Sequence, residues 1–201
     1  MAKSLLLVRH GQISANREGR WHGSTDCQLT RRGKRQAKRT STHLGKHGPE
    51  IHAIYSSPLQ RCVQTANAFS ATLKVEVQIE HDLREYAIGE WENMPFKELV
   101  SVHDFITKAT DDPNFAPPGG ESLNGVAERM VAGLQRIDAR HGPEATVLVV
   151  SHGAAMAVAL GVLLDGDPGK WVEYQFGNCA LTDLIMTPNA YVNYYNTTQH
   201  L

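Results

Sequence analysis

The chain has 201 residues, of which 41% are hydrophobic and 20% charged, with a formal net charge of −1. This is enough for one α/β domain with a full core, and the composition is that of an ordinary globular protein. The near-zero charge gives no global pull toward nucleic acid or membrane, and no apolar run reaches membrane-spanning length.

Ser4 to Val8 is a short apolar run stopped at once by Arg9-His10. It is too short for a secretory signal and reads as a buried strand, so a cytoplasmic location is expected. Residues 10–30 read as loop, broken by Gly11, Gly19 and Gly23. Thr30 can cap a helix to about Leu44 with Leu29, Ala37, Thr40 and Leu44 on one side. Arg31, Arg32, Lys34, Arg35, Lys38 and Arg39 occupy the other. Ile51 to Ser56 is a second strand. Ser57-Pro58-Leu59-Gln60 then combines a serine cap, a first-turn proline and a glutamine three residues on. The helix it starts carries Leu59, Cys62, Val63, Ala66, Phe69 and Leu73 at helical spacing, and Val75 to Ile79 is a third strand. Residues 82–120 are less regular and read as an excursion over the domain, with one helix near Phe96 to Lys108. Ser122 can cap a helix whose stripe runs from Leu123 to Ile137. Thr146 to Val150 is a fourth strand, followed by Ser151-His152-Gly153 and an Ala-rich helix to Leu164. Ala180 to Met186 and Tyr191 to Tyr195 read as a hairpin turning at Pro188-Asn189. Cys27, Cys62 and Cys179 form neither a metal spacing nor a disulfide framework, which suits a reducing compartment.

Strands alternating with helices imply a three-layer α/β/α sandwich on a mainly parallel sheet, and the final hairpin requires an antiparallel strand. A single domain over residues 1–201 is expected, with 82–120 as a lid over its site. In such sheets ligands bind at the carboxyl ends of the strands. The first strand ends at Arg9-His10-Gly11 and the second at Ser56-Ser57, with Arg61 in the next turn. The fourth ends at Ser151-His152-Gly153. If these strands are parallel, two guanidiniums and two imidazoles converge on one spot. That set binds a dianion, because arginine matches phosphate oxygens and helix N-termini add donors.

These residues carry a resemblance. Arg9-His10-Gly11, Asn16, Gly23, the Asp26–Leu29–Thr30–Gly33–Gln36-Ala37 pattern, and Ser56-Ser57-Pro58-Leu59-Gln60-Arg61 with Thr65-Ala66 come in order. Glu85 with Gly89 and Trp91-Glu92, then Gly119-Gly120-Glu121-Ser122, then Ser151-His152-Gly153 complete the series. A lone Arg-His-Gly is a weak signal; ordered blocks in matching context are a strong one. Over residues 4–185 the chain resembles the histidine phosphatase superfamily, also called phosphoglycerate mutase-like. The resemblance implies that His10 attacks phosphorus and becomes phosphohistidine. It implies that Arg9, Arg61 and His152 hold the phosphoryl oxygens, helped by Asn16, His22, Gly23 and Gly153, and that Glu85 is the general acid and base. Glu80, Asp82, Glu90 and Glu92 lie near, and only the family's block singles out Glu85. No metal and no cofactor are implied.

The resemblance has departures. Ile13 stands where the family usually has a hydroxyl, Ala154 where mutases carry Asn, and Asn93 where Gly is common. The expected function is metal-independent hydrolysis of small phosphate monoesters. Mutases of the family resemble one another in a longer, more basic segment after the acid, whereas residues 86–120 hold only Lys97 and Lys108 as cations. The mutase is the alternative, and a catalytically silent phospho-ligand or protein-binding scaffold a remoter one. The basic helix reads as a solvated face, since no aromatic residue is interleaved for nucleic acid. The expected partner is a small phosphorylated metabolite, with neither nucleic acid nor membrane. Oligomeric state stays open, a homodimer being one option.

Overall fold

Successive residues of a strand face opposite sides of a sheet, and this alternation divides the core into two halves. A computed structural model describes residues 4–186 and 189–201. Strands β1 (Ser4–Arg9), β2 (Ala53–Ser56), β3 (Val77–Ile79), β4 (Thr146–Ser151), β5 (Leu181–Ile185) and β6 (Tyr191–Thr197) form one sheet in the order β3-β2-β4-β1-β5-β6. Neighbours among the first four are parallel, while β5 runs antiparallel to both β1 and β6. Leu6, Val8, Ile54, Leu148 and Val150 point to one side, against Leu44 of α2 (Arg31–His47) and Cys62, Ala66 and Phe69 of α3 (Gln60–Leu73). Leu5, Leu7, Val147 and Val149 point to the other, against α6 (Leu123–Ala139) and α7 (Gly153–Asp165). Each such aliphatic side chain contributes about 1.5–3 kcal/mol when fully buried. The architecture is the expected three-layer sandwich on a mainly parallel sheet.

The expected caps form at two helices. Thr30 Oγ1 accepts from the Gly33 amide at 3.0 Å, and Ser122 Oγ accepts from Gly125 at 3.1 Å. The face of α2 with Ala37, Thr40 and Leu44 is buried and its cations stay outside. No helix among the described residues is long and apolar enough to cross a membrane.

Several boundaries differ from expectation. The loop after β1 contains a short helix, α1 (Ser14–Glu18), ended by Gly19 at φ 65°. The third strand is shorter than expected, because Lys74 turns to φ 62° and only Val77–Ile79 reaches β2. Residues 96–108 are not one helix but two, α4 (Phe96–Ser101) and α5 (Phe105–Asp111). Leu99 and Phe105 are both fully buried, yet six residues on one continuous helix would point them about 120° apart. The break at Asp104, φ 50°, resolves this conflict. A tight helical segment at Pro168–Glu173 covers α7, whose residues 155–161 are all buried. Pro188 of the expected hairpin turn lies outside the described residues.

Candidate active site

The register of two central strands puts the two histidines side by side. Arg9 pairs with Ser151 across the parallel β1–β4 ladder, so the next residues, His10 and His152, emerge together at the carboxyl edge. Their rings lie 5.2 Å apart, edge to face. His10 is 3% exposed. Its Nδ1 faces the Gly11 carbonyl at 2.8 Å; a carbonyl can only accept, so Nδ1 carries the proton and Nε2 keeps a free lone pair. Burial, then Arg61 and Arg9, hold the His10 pKa well below 6.5, against a smaller opposite effect of the Gly11 bond. The ring is therefore neutral at pH 7.

Arg61 occupies the first turn of α3 and is fully buried. Its Nε donates to His152 Nδ1 at 3.1 Å, and its Nη atoms donate to the carbonyls of Thr25, His22 and Gly23. The segment carrying those carbonyls is clamped by Glu92. Its carboxylate accepts from the amides of Gly23, Ser24, Thr25 and Ile88 and from Thr25 Oγ1. Burial pushes the Glu92 pKa up, but these bonds outweigh it and keep the carboxyl below its ordinary value. Gly23 is required here, since a Cβ would come within 2.1 Å of the Tyr86 carbonyl.

His152 is also fully buried and held well below 6.5, by burial first and then by Arg61 and His10. Its Nε2 lies 2.8 Å from Ser57 Oγ. That contact explains why Ser57 does not cap α3 as expected. The helix begins later, with Leu59 at the cap position, and the Gln60 amide donates instead to Asp26 Oδ1 at 2.8 Å.

Glu85 is 9% exposed and stands over the start of α7. Its Oε1 accepts from the amides of Tyr86 and Ala155, and Oε2 accepts one long bond from Ala154 at 3.3 Å. The helix N-terminus thus fixes the carboxylate through its otherwise unpaired donors. Arg129, on α6, fixes the backbone beneath it. It donates to the carbonyls of Asp82, Arg84 and Glu85, and forms a bidentate pair with Glu121 at 2.7 and 2.8 Å. Arg9 Nη1 donates to the Phe176 carbonyl at 2.6 Å, while its buried Nε has no partner. Asn16 Oδ1 accepts from the Ile13 amide and from Asn178 Nδ2, which also donates to the His10 carbonyl.

A cavity of about 560 Å³ opens above these groups, and Arg9, His10, Asn16, His22, Glu85 and Gly153 line it. Arg61 and His152 lie buried next to His10 rather than on the open wall, and Gly23 gives its amide to Glu92. Sequence reasoning missed Ser57 as a histidine partner, Arg129 and Glu121 as supports of Glu85, and Asn178 beside Asn16. Ser57, Glu92 and Glu121 stand inside the motif blocks, so a signal existed for them without a role. Asn178 and Arg129 had none.

Known proteins resemble this chain in sequence and in fold. The chain is 33% identical over 184 residues to phosphoserine phosphatase 1 of Hydrogenobacter thermophilus, covering 90% of this chain and 86% of that one. It is 31% identical over 192 residues to glucosyl-3-phosphoglycerate phosphatase of Mycobacterium tuberculosis, covering 91% and 85%. A bifunctional protein of Mycobacterium tuberculosis is 36% identical over 166 residues, or 82% of this chain, which spans only 45% of that protein's length. Among solved structures, a mycobacterial glucosyl-3-phosphoglycerate phosphatase with VO3 aligns with a TM-score of 0.87 at 27% identity, covering 98% of this chain and 100% of that one. Phosphoserine phosphatase of Entamoeba histolytica with 3-phosphoglyceric acid aligns with a TM-score of 0.87 at 28% identity, covering 99% of each. The profile of the histidine phosphatase superfamily, branch 1, matches residues 5–197, and the chain belongs to that family.

Proposed function

We propose that the protein hydrolyses small phosphate monoesters through a phosphohistidine on His10, without a metal ion. The observation that carries this reading is the placement of His10: its Nδ1 is bound to the Gly11 carbonyl, which leaves Nε2 as the free nitrogen, and it lines one cavity with Arg9 and Glu85. Nε2 attacks phosphorus as the bond to the ester oxygen breaks, and Glu85 gives its proton to the departing alkoxide. Oε2, with its single long bond from Ala154, is the oxygen suited to carry that proton. Glu85 then takes a proton from water as the water oxygen attacks phosphohistidine, releasing inorganic phosphate and neutral His10. Arg9 and Arg61 offset the charge on the transferring group, neutral His152 holds Arg61 in place through Nδ1, and Asn16, His22 and Gly153 complete the pocket, while Gly23 gives its amide to Glu92. Residues 82–120 supply Glu85, Phe96 and Ile106 to the cavity and serve as its lid.

The test is phosphate release from p-nitrophenyl phosphate with EDTA present. Hydrolysis should persist in EDTA and fall by about 10⁴-fold or more in His10→Ala. Undiminished hydrolysis by that variant would sink the mechanism. Isomerisation of 3-phosphoglycerate dependent on 2,3-bisphosphoglycerate, without hydrolysis, would make the protein a mutase.

A further inference from the structure

The cavity beyond His10 is built unlike its phosphate pole. Trp21, Phe96, Ile106, Trp171, Val172 and Phe176 form its walls. Trp21 stacks on Phe96 with ring centroids 6.1 Å apart and meets Trp171 edge-on at 6.3 Å. Phe96 and Val172 are each 42% exposed where they border the opening. Phe96 and Val172 thus keep part of their apolar surface in water on the cavity wall, where it can cover apolar surface of a ligand. Val100, also 42% exposed, follows Phe96 by one helical turn and extends the apolar strip outward along α4.

Charge is scarce along the same walls. Besides the groups at His10, the charged lining residue is Arg20, whose Nη1 donates to the Asn93 carbonyl at 2.6 Å. Lys97 and Lys108 do not line the cavity. A leaving group bearing its own carboxylate or second phosphate would meet these rings, the neutral Tyr174 and Gln175, and one cation, Arg20, already bonded to a carbonyl. Such burial is costly without a matched partner.

Resting on the phosphatase reading above, we infer that the preferred substrates are phosphate monoesters of alcohols with an extended apolar body, alkyl or aryl, rather than of small alcohols carrying a second anionic group. Phe96 and Val172 are then the residues that set this preference.

The experiment is a series of methyl, ethyl, butyl and hexyl phosphates, with 3-phosphoglycerate alongside, followed by phosphate release. Full burial of a methylene is worth about fourfold in binding, and in an open cavity about half that energy, so kcat/KM should rise about twofold to fourfold per added methylene. Phe96→Ala and Val172→Ser should each lower the hexyl-to-ethyl ratio by about threefold or more. Val102→Ser, at a residue 69% exposed and off the cavity wall, should leave that ratio as it is. A ratio that does not rise with chain length, or a preference for 3-phosphoglycerate over hexyl phosphate, overturns the inference and leaves the phosphatase reading standing. Release from none of these esters or from p-nitrophenyl phosphate overturns both.

Discussion

Arg61 dictates which nitrogen of His152 holds the proton. Its Nε can only donate, so His152 Nδ1, 3.1 Å away, must accept, and the neutral ring keeps its hydrogen on Nε2. That hydrogen points to Ser57 Oγ at 2.8 Å, inside a fully buried cluster. Ser57→Ala leaves the buried Nε2–H only the weakly accepting Cys62 Sγ, 3.3 Å away, a cost of about 1–3 kcal/mol. Thermal unfolding should show a melting temperature lower by several degrees, about 2–4 °C for each kcal/mol at this size. An unchanged melting temperature would mean the ring finds another acceptor.

Both buried imidazoles make stability depend on pH. His10 and His152 are held well below 6.5 in the fold, by burial first and then by the nearby arginines, and unfolding returns them to ordinary values. Below about pH 6.5 the unfolded chain therefore binds more protons, and stability must fall as pH falls, by up to about 2.7 kcal/mol per pH unit for two groups. Urea unfolding across that range, on the protein and on His10→Gln, checks the sign; the variant should lose about half of the slope. The same shift keeps the His10 lone pair available in mild acid. The acidic fall of kcat/KM caused by its protonation should accordingly lie below pH 6.5.

Glu92 governs Arg61 from a distance. It pins the amides of Gly23, Ser24 and Thr25, whose neighbouring carbonyls receive the Arg61 guanidinium. Glu92→Gln places an amide NH₂ among donors, so one oxygen's bonds are lost. Inhibition by inorganic phosphate should weaken by about tenfold, equivalent to about 1.4 kcal/mol. Because the carboxyl is held below its ordinary value, its contribution to stability is present above about pH 4.5 and disappears as pH falls through the lowered value. The variant should lack that part of the acid transition. Equal phosphate inhibition in both proteins would remove Glu92 from this role.

Arg129 is the support of Glu85. Lysine keeps the charge but loses the planar fork that reaches Glu121 and the carbonyls of Asp82, Arg84 and Glu85. On the proposed mechanism, the expected loss for Arg129→Lys is in kcat, about tenfold, with KM little changed, because Glu85 is displaced while the groups around His10 stay in place. A rise in KM at constant kcat would instead assign Arg129 to substrate binding.

How much of this was legible in the sequence follows from the range of the forces involved. β1 and β4 were readable because each is an apolar run ending abruptly in polar residues. Parallel pairing then brings Arg9, His10 and His152 together. The buried face of α2 was readable from its period. The outcome at Ser57 was not: capping a helix and accepting from His152 are both open to one hydroxyl, and only the assembled fold decides. The break at Asp104 is a compromise between burying Leu99 and burying Phe105, which neither residue reveals alone. Trp171, Val172 and Phe176 reach the cavity from a segment without strand or helix period. Most of the bonds that Glu92 and Arg129 make join them to backbone atoms dozens of residues away, at Gly23 to Thr25 and at Asp82 to Glu85, and backbone atoms carry no signature of their own.

The strand that carries His10 is also the one that must wait longest for its neighbours. Its two ladder partners, β4 and β5, begin at Thr146 and Leu181, so during synthesis Leu5 to Val8 leave the ribosome with both edges bare until most of the chain has followed. Local pairing cannot relieve this, since β3 adjoins only β2, and β2 adjoins β3 and β4 but not β1. The centre of the sheet, and the two histidines with it, closes late, in a step that joins distant parts of the chain. Such a fold forms slowly and is most vulnerable to aggregation while its first strand is alone.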